Sequence, residues 1–337
     1  MDEKSNDELY EHHVFEVEKN HDLIRIDKFL LLRLPNTSRT KIQKSISSGY
    51  VFCNDINIKA NYKVKPFDKI SIRFEYEPYN KEIIPEDIPL DIVFEDNDVI
   101  IVNKASNMVV HPSYGHYSGT LVHALLYKYH DLQNTGDNQR PGLVHRLDKN
   151  TTGLMVVARN SVSLNNLSAQ FANRTIQRTY IALVWGDDLD DNGTVTGNIG
   201  RNKKNRKLMT VLDDANEGKY AITHYEVLER FRYVTLIKCQ LETGRTHQIR
   251  VHMQYIGHPL FNDNEYGGDR ILRGTTFSKY KQFVHNCFKI LPRQALHAKS
   301  LTFIHPNSRQ SVSFNSDLPD DMKTVIDRWK QYTRYNG

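Results

Sequence analysis

The stretch HRLDKNTTGLMVVAR, residues 145–159, joins a polar turn to an apolar run and contains a single carboxylate. That carboxylate, Asp148, stands behind a His-Arg-Leu triplet and ahead of a Thr-Thr-Gly turn. Aspartate is common in turns, because its side chain hydrogen-bonds to nearby backbone amides. An ordinary turn residue is therefore one interpretation of Asp148, and a reactive carboxylate is the other.

Length and composition predict a globular protein of two domains. The chain has 337 residues, of which 39% are hydrophobic and 25% charged, and this is enough for a sizeable core. No apolar run approaches the roughly 20 residues of a membrane-spanning helix. The N-terminal segment MDEKSNDELYEHH is acidic and lacks the apolar centre of a secretory signal. We therefore expect neither a membrane partner nor export.

The cysteines argue for a reducing compartment. Cys53, Cys239 and Cys287 are far apart and odd in number. They match neither a disulfide framework nor a zinc pattern. A cytoplasmic setting without a bound metal is the simplest expectation.

Charge is unevenly distributed along the chain. Residues 1–22 contain eight acids and two lysines, whereas residues 25–73 contain eleven Lys or Arg and three Asp. Their net charges are therefore −6 and +8, compared with +5 for the whole chain. A strongly basic segment is typical of proteins that bind a polyanion, although a solvated lysine-rich face has the same composition.

A helix–helix–hairpin pattern organises the basic segment. SRTKIQKSISSG predicts a helix capped by Ser38, with Ile42 and Ile46 one turn apart and facing a core. The stretch IRIDKFLLLRL before it predicts another helix. After it, two β-prone runs flank Asn54 and Asp55, which is a hairpin signal.

This segment, roughly residues 24–73, resembles the S4-type RNA-binding domain from RIDKFLLLRL through KVKPFDKI. The resemblance implies that five basic side chains contact RNA phosphates: Arg25, Lys28, Arg39, Lys41 and Lys44. Phosphate contacts provide affinity and register rather than sequence choice.

A linker separates this module from the rest of the chain. EYEPYNKEIIPEDIPLD has three prolines and six acids with little periodicity. We therefore divide the chain into an acidic tail (1–22), an S4-type domain (23–76), a linker (77–90) and a larger domain (91–332). In the larger domain, β-prone runs such as RTYIALVWG alternate with helical stretches such as SLNNLSAQF. The predicted fold class is α+β, with a mainly antiparallel sheet in the larger domain.

A second stretch, LETGRTHQIRVHMQYIGHPL, predicts a helix with an unusual charge. Thr246 is a plausible N-cap and Gly257 a plausible end. Ile249 and Met253 mark the buried stripe, and Arg250 lies about 100° from Ile249, beside that stripe. A charge at the core edge either snorkels to solvent or needs a partner, so Arg250 is a candidate to pair with a buried carboxylate.

Four stretches, in this order, resemble the motifs of the RluA family of pseudouridine synthases: HRLDKNTTGLMVVAR, RTYIALVWG, LETGRTHQIRVHMQYIGHPLFNDNEYGG and RQALHAKSLTFIHP. With the S4-type domain in front, the resemblance is to the RluD type and covers most of residues 24–330. It implies isomerisation of uridine to pseudouridine in RNA, without a metal, a nucleotide or another cofactor. The stretch VNKASNMVVHP departs from the family, which usually has Pro-Ala-Gly after the lysine, and we interpret this as a changed turn.

The resemblance assigns a role to each of five residues. Asp148 matches the catalytic aspartate, and Arg250 matches the basic partner that would hold it ionised and oriented. Tyr180 matches the tyrosine that lies against the target base. Arg146 matches the residue that reaches into the RNA where the target nucleotide leaves the stack. Leu296, in ALHA, matches the apolar position that packs the uracil.

The resemblance also implies an RNA partner, with 23S rRNA or a precursor of the large ribosomal subunit as the expected substrate and helix 69-type sites as targets. Two alternatives stay open. The basic module alone would permit a non-catalytic RNA-binding or ribosome-assembly protein. A glycoside hydrolase usually needs two cooperating carboxylates, and neither catalytic motif supplies a second one. The run RNKKNRK, residues 201–207, indicates either an RNA-contacting loop or a solvated charge run.

Overall fold

The computed structural model describes residues 9–34, 37–75, 83–113, 115–135, 140–214 and 216–336. The chain divides into two compact units, Met1–Lys81 and Glu82–Gly337. No helix within the described ranges combines the length and the apolar character that crossing a membrane demands. The predicted α+β class is confirmed, because the second unit is built on a large, mainly antiparallel sheet.

The described residues of the first unit form two helices and a small sheet. The sheet is antiparallel, with the strand order β1-β4-β2-β3. Its elements are β1 (Tyr10–Glu16), α1 (Ile26–Arg33), α2 (Arg39–Ser47), β2 (Val51–Cys53), β3 (Ile56–Asn57) and β4 (Lys69–Phe74).

Local sequence signals explain why these elements form where they do. The Ser38 hydroxyl accepts a hydrogen bond from the backbone N–H of Lys41 and caps α2, as an N-cap serine should. Ile42 is buried in the core of the unit. Asn54 and Asp55 both have positive φ angles, 48° and 65°, which is the backbone twist that a two-residue hairpin between β2 and β3 needs.

Part of the predicted acidic tail, residues 1–22, is a β-strand. Residues 1–8 lie outside the described part, but Tyr10–Glu16 forms β1 and pairs antiparallel with β4. The pairing sets Glu16 opposite Lys69 and brings Glu11 to 3.8 Å from Arg73. The acids of this segment therefore complement the basic strand beside it, and residues 10–16 belong to the first sheet.

Part of the predicted linker also belongs to a folded unit. Residues 76–82 lie outside the described ranges, and residues 83–91 form no helix or strand. Ile83 is buried in the core of the second unit. The Glu86 carboxylate accepts a hydrogen bond of 3.0 Å from the backbone N–H of Gly119. The C-terminal part of the segment is thus packed against the second unit.

The second unit contains ten strands and five α-helices among its described residues. The order along the sheet is β10-β9-β11-β12-β8-β13-β7-β6-β5, with β14 beside β13. The strands are β5 (Ile92–Glu95), β6 (Val99–Lys104), β7 (Thr152–Ala158), β8 (Gln177–Trp185), β9 (Asn192–Arg201), β10 (Met209–Leu212), β11 (Lys219–Arg230), β12 (Val234–Leu241), β13 (Leu296–Ile304) and β14 (Ser311–Asn315). The helices are α3 (Leu121–Lys128), α4 (Ser161–Ala172), α5 (Gln248–Tyr255), α6 (Ser278–Ile290) and α7 (Asp320–Asn336), and a short 3-10 helix spans His130–Asn134.

A close strand contact brings two of the sequence motifs together. β7 and β13 run parallel, whereas the other paired strands described are antiparallel. At Gly153 the φ angle is 113°, and a Cβ atom there would lie 2.3 Å from the carbonyl oxygen of Ala298. Only glycine fits such an approach. It places the turn that contains Asp148 near Leu296, the first residue of β13.

A buried carboxylate organises the first unit. Asp27 is fully buried and accepts hydrogen bonds from the side chains of Arg25, Arg39 and Gln43. Burial by itself raises the pKa of Asp27, but the bonds from Gln43, Arg39 and Arg25 lower it to about 2. Two of the arginines expected to bind phosphate therefore also hold the fold of their own unit.

This carboxylate predicts an acid-sensitive first unit. In an unfolded chain aspartate titrates near pH 3.9, whereas the folded pKa of Asp27 is about 2. Because the folded pKa is depressed, its stabilisation is present above about pH 4 and is lost as pH falls toward 2. Urea unfolding of the unit, followed by amide NMR signals of α1 and α2, should show this loss.

The Asp27→Asn variant should be less stable near neutral pH and should lose less of its remaining stability on acidification. Asp55→Asn is the control, since the Asp55 side chain is 66% exposed. An acid profile for Asp27→Asn that runs parallel to the parent's would contradict this account.

Candidate active site

One cavity in the second unit collects the residues that the catalytic motifs single out. Its volume is about 400 Å³, within the range of about 300–1,000 Å³ that is typical of ligand sites. The loop before β7, the strand β8, residues 241–250 and the start of β13 form its walls. All five residues to which the resemblance assigned a catalytic or base-binding role line it: Asp148, Tyr180, Arg250, Arg146 and Leu296.

Arg250 lies at the centre of a cluster of carboxylates. Its side chain projects from α5 and is 3% exposed. Its Nε and Nη2 atoms donate to the two oxygens of Asp263, at 2.7 and 2.8 Å. Nη2 also donates to Glu265 at 2.5 Å. The remaining Nη1 donates to Oδ2 of Asp148 at 3.3 Å. The arginine is thus paired and does not snorkel to solvent.

The electrostatics of the cluster keep Arg250 charged. Burial by itself lowers the pKa of Arg250, but the hydrogen bonds and charge of Asp263 raise it, as do the charges of Asp148 and Glu265. The guanidinium carbon also lies 4.8 Å from the ring centroid of Tyr266, a favourable cation–π distance. Three carboxylates, those of Asp148, Asp263 and Glu265, thus share one guanidinium.

Asp263, Glu265 and Tyr266 lie in the stretch FNDNEYGG, and no role was predicted for them from the sequence. The two carboxylates among them come from downstream of the catalytic motifs and join Asp148 around Arg250. Asp263 is fully buried and Glu265 does not line the cavity. The other acidic residue of the wall is Glu242, whose carboxylate lies 2.7 Å from His224. The sequence contained one signal for such a residue. Arg250 was predicted at the edge of the core with no acid nearby in the sequence, and this indicates an acidic partner from elsewhere in the chain.

Two buried cations anchor the backbone that follows Asp148. The Lys104 ammonium donates to the carbonyl oxygens of Ala105, Met108 and Lys149, at 2.7, 2.9 and 3.1 Å. Arg293 donates to the carbonyl oxygen of Asn150 at 3.2 Å. The altered sequence after Lys104 thus still forms a turn whose carbonyls face the ammonium.

The charge of Lys104 is set by opposing effects. Burial lowers the pKa of Lys104 to about 7, while the negative charge of Asp148 raises it. Three carbonyl oxygens surround Nζ, and only the ammonium form has three N–H groups to donate to them. The protonated form is therefore the one that this cage fits.

His247 lies on the other side of the carboxylate. Helix α5 starts with His247 as its N-cap in a left-handed conformation, φ 56°, so the prediction of Thr246 as the cap was wrong by one residue. Its Nδ1 lies 2.7 Å from the Tyr266 hydroxyl, which also accepts the backbone N–H of Met209. If the hydroxyl donates its proton to Nδ1, the neutral ring carries its own proton on Nε2. Nε2 lies 3.8 Å from Oδ1 of Asp148.

The apolar part of the wall comes from two paired strands. Tyr180 on β8 is opposite Ala298 on β13, and Ala182 on β8 is opposite Leu296. Tyr180 and Leu296 are only 6% and 4% exposed, so both are held firmly by the sheet. Burial raises the pKa of the Tyr180 hydroxyl, and the charge of Asp148 raises it further. The phenol is therefore neutral at neutral pH.

His145 has a structural environment. Its Nε2 accepts the backbone N–H of Val156 at 3.0 Å, and its ring stacks on Phe171 with centroids 4.7 Å apart. Burial lowers the pKa of His145 to about 3, so the ring is neutral. By contrast, Arg146 next to it is exposed at the wall of the cavity.

The five phosphate-binding candidates lie in the first unit. Lys28, Lys41 and Lys44 are exposed, whereas Arg25 and Arg39 are about half exposed and share Asp27. The structure thus gives the three lysines and the two arginines different surroundings.

A group of three residues with the side-chain types of a metal site lies outside the cavity, and these side chains already have hydrogen-bond partners in the protein. Asp96, Asp98 and His305 bring their ligand atoms within 4.8 Å of one another. However, His305 Nε2 lies 2.9 Å from Asp96, and Asp98 accepts hydrogen bonds from Asn160 and Ser163. None of these residues lines the cavity of Asp148.

Comparisons with known proteins agree with the motifs. Residues 98–255 match the family described as RNA pseudouridylate synthase, and residues 24–70 match the S4 domain. The chain is 43% identical to an RNA pseudouridine synthase of Chlorobaculum parvum, over 93% of this chain and 96% of that relative. It is 41% identical to ribosomal large subunit pseudouridine synthase D of Zymomonas mobilis, over 90% of this chain and 92% of the relative.

The fold is shared with solved structures as well. Human RNA pseudouridylate synthase domain containing 1 aligns over 77% of this chain and 98% of its own, with a TM-score of 0.52 and 24% identity. At that identity the likeness shows a shared fold.

The carboxylate cluster predicts a large stability cost for removing its cation. Arg250→Met leaves Asp263 buried without a charge partner, and breaking a buried pair in this way typically costs about 3–5 kcal/mol. Glu265→Gln is the matched control, because Glu265 is 41% exposed and such pairs contribute about 0–1 kcal/mol. Chemical denaturation followed by tryptophan fluorescence measures both, since Trp185 and Trp329 are buried in the second unit. Equal stability of the two variants would mean that the cluster is not a structural unit.

Proposed function

Because this chain belongs to the RNA pseudouridine synthase family, we propose that it isomerises uridines of large-subunit ribosomal RNA, with Asp148 as the catalytic carboxylate. The observation that carries the proposal is the position of Asp148. It lines the cavity beside Tyr180 and Leu296 and is held at 3.3 Å by the buried Arg250.

The reaction needs a carboxylate but no net transfer of atoms to the enzyme. The N1–C1′ bond of uridine breaks, the uracil turns, and a C5–C1′ bond forms. N1 gains a proton and C5 loses one, so the product is an isomer. A carboxylate beside the sugar can attack carbon, stabilise positive charge at C1′ or remove a proton. Asp148 is the group in the cavity that is placed for these steps.

Three other residues of the cavity have roles in binding the base and in removing it from the RNA stack. The ring of Tyr180 and the side chain of Leu296 form an apolar slot, and stacking of a base on an aromatic ring contributes about 1–3 kcal/mol. A base inside a helix must leave the stack before chemistry. Arg146, exposed at the cavity wall, has the planar guanidinium that can fill the vacated space.

The RNA target follows from the relatives and from the first unit. Relatives of about 40% identity are named ribosomal large subunit pseudouridine synthase D, which favours 23S rRNA or a precursor of the large subunit, with helix 69-type uridines as sites. Lys28, Lys41 and Lys44 are the exposed cations of the S4 domain that would contact phosphates, with Arg25 and Arg39 beside them. A cytoplasmic location accords with such a substrate.

The alternative is a non-catalytic RNA-binding or ribosome-assembly protein. The arrangement of Asp148, Arg250 and Tyr180 in one cavity favours the enzyme. Incubation with uridine-labelled rRNA and digestion to nucleosides discriminates the classes: pseudouridine supports the synthase, free uracil a hydrolase, and unchanged uridine a binder.

The Asp148→Asn variant should form no pseudouridine while it binds RNA as the parent does. The change keeps the shape of the side chain and removes its charge, so chemistry is tested separately from docking. Glu242→Gln, which changes the other acidic residue of the wall, is the control and should stay active. Turnover by Asp148→Asn within about tenfold of the parent, a barrier change of at most ~1.4 kcal/mol, would falsify the catalytic assignment.

A variant that begins at Glu82 should keep its chemistry and bind RNA more weakly. The second unit contains its own core and all the cavity residues, whereas the S4 lysines are lost. The slope of log affinity against log salt should become shallower by roughly 0.7–0.9 for each lost phosphate contact, or about 2–3 for three contacts. Saturating RNA should restore most of the turnover.

Two outcomes would argue against this division of labour. An unchanged salt slope would mean that the S4 domain does not bind phosphates. A truncated protein that folds but stays inactive at saturating RNA would mean that the first unit is needed to shape the RNA for the active site.

A further inference from the structure

The hairpin between β9 and β10 carries the densest positive charge of the second unit. Its tip, residues 201–207, begins with the last residue of β9 and has the sequence RNKKNRK, with five Lys or Arg among seven residues. Each of the five basic side chains is exposed. We call these residues the basic loop. Neither the proposed chemistry nor the S4 domain gives it a role.

The backbone of the basic loop is held in a defined turn. The Asn202 side chain accepts hydrogen bonds from the backbone N–H groups of Lys204 and Asn205, at 2.9 and 3.0 Å. The Asn205 side chain accepts the N–H of Lys207 at 3.2 Å. An ordered turn presents its side chains to a ligand at a lower entropic cost than a flexible one.

Most of the charge in the basic loop has no acidic partner. Lys203 forms an ion pair of 2.8 Å with Glu217, and the Arg201 guanidinium donates to the carbonyl oxygen of Arg206. Across the described residues, no carboxylate lies within ion-pair distance of Lys204, Arg206 or Lys207. Neighbouring like charges repel one another, and a polyanion relieves that repulsion while it releases its own counterions.

The base of the hairpin is attached to the wall of the active-site cavity. The backbone N–H of Met209, two residues after the loop, donates to the Tyr266 hydroxyl at 3.1 Å. That hydroxyl lies 2.7 Å from His247, which lines the cavity beside Asp148. Met209 also packs in an apolar cluster with Val251 of α5.

A further anchor comes from the neighbouring strand. Arg245, in the cavity wall, donates to the carbonyl oxygen of Tyr220 at 3.1 Å. Tyr220 belongs to β11 and pairs with Asn198 of β9. Both sides of the hairpin base are thus tied to the segment that forms one wall of the cavity.

We propose that the basic loop binds the phosphate backbone of the substrate RNA next to the nucleotide that enters the cavity. This inference rests on the proposed function, since that function supplies the RNA. Met209 is three positions after Arg206 in the chain, and an extended chain spans at most ~3.3–3.6 Å per residue, so the backbone of Arg206 lies within roughly 11 Å of the hairpin base. The basic loop therefore stays close to the cavity wall, within reach of RNA that flanks the target nucleotide.

The test compares two triple variants that remove the same charge. Lys204→Gln, Arg206→Gln and Lys207→Gln neutralise the basic loop; the structure gives their side chains no role in the turn. Lys279→Gln, Lys281→Gln and Lys289→Gln, three exposed lysines of α6, are the control. Binding of each full-length protein to a 23S rRNA transcript is measured by filter retention over a range of salt concentrations, with turnover measured alongside.

The loop variant should lose about 2–3 in the slope of log affinity against log salt, because each phosphate contact contributes roughly 0.7–0.9. For the α6 control, the slope should change by less than the roughly 0.7–0.9 that one phosphate contact contributes. Equal slopes for the two variants would overturn the proposal and leave the loop as a solvated charge run. Binding is measured independently of turnover. If the slope depends on the basic loop but the protein forms no pseudouridine, the result supports the proposed RNA-binding loop and refutes the proposed function.

Discussion

The guanidinium of Arg250 is the constraint on which the geometry of the cavity depends. The side chain is charged although it is only 3% exposed, and a buried charge is stable only when it is paired and hydrogen-bonded. Asp263 occupies Nε and Nη2 with both oxygens, and the planar fork then fixes the direction of Nη1. The place where Asp148 is held therefore depends on Asp263, a residue that never faces the cavity. An isolated pair of Arg250 and Asp148 would leave that direction open.

The backbone of the same turn is fixed by a second set of cations. Lys104 and Arg293 donate to the carbonyl oxygens of Lys149 and Asn150, immediately after Asp148. The carboxylate is thus restrained through its side chain and through the chain that carries it. Catalytic groups must be held to within a fraction of an ångström, and buried supporting residues provide this precision. Arg250, Lys104 and Arg293 are thus the cations that hold Asp148 and its turn.

Local signals in the sequence were sufficient for much of this architecture, since caps, hairpins and amphipathic stripes depend on residues close together in the chain. The position of Arg250 beside the apolar stripe left two possibilities open, snorkelling to solvent or pairing with a carboxylate, and the family resemblance indicated the pairing with Asp148. The identity of the extra partners did not follow, because Asp263 lies 13 residues away and the contact of Lys104 with Lys149 spans 45. The strand Tyr10–Glu16 was missed for a related reason. Its pairing with a basic strand is a tertiary contact, whereas its composition by itself is that of a tail.

Burial divides the positive charge of the chain into two kinds that a net value of +5 does not distinguish. Arg250, Arg293 and Lys104 are saturated by carboxylates and carbonyl oxygens, so they have little attraction left for a polyanion. By contrast, the cations of residues 201–207, three lysines of the S4 domain (Lys28, Lys41 and Lys44) and Arg146 at the cavity wall are exposed. Attraction to RNA must therefore come from the exposed set, and it is weakened by salt. The geometry around Asp148 rests on the buried set, which salt screens far less, so docking and chemistry respond to ionic strength in different ways.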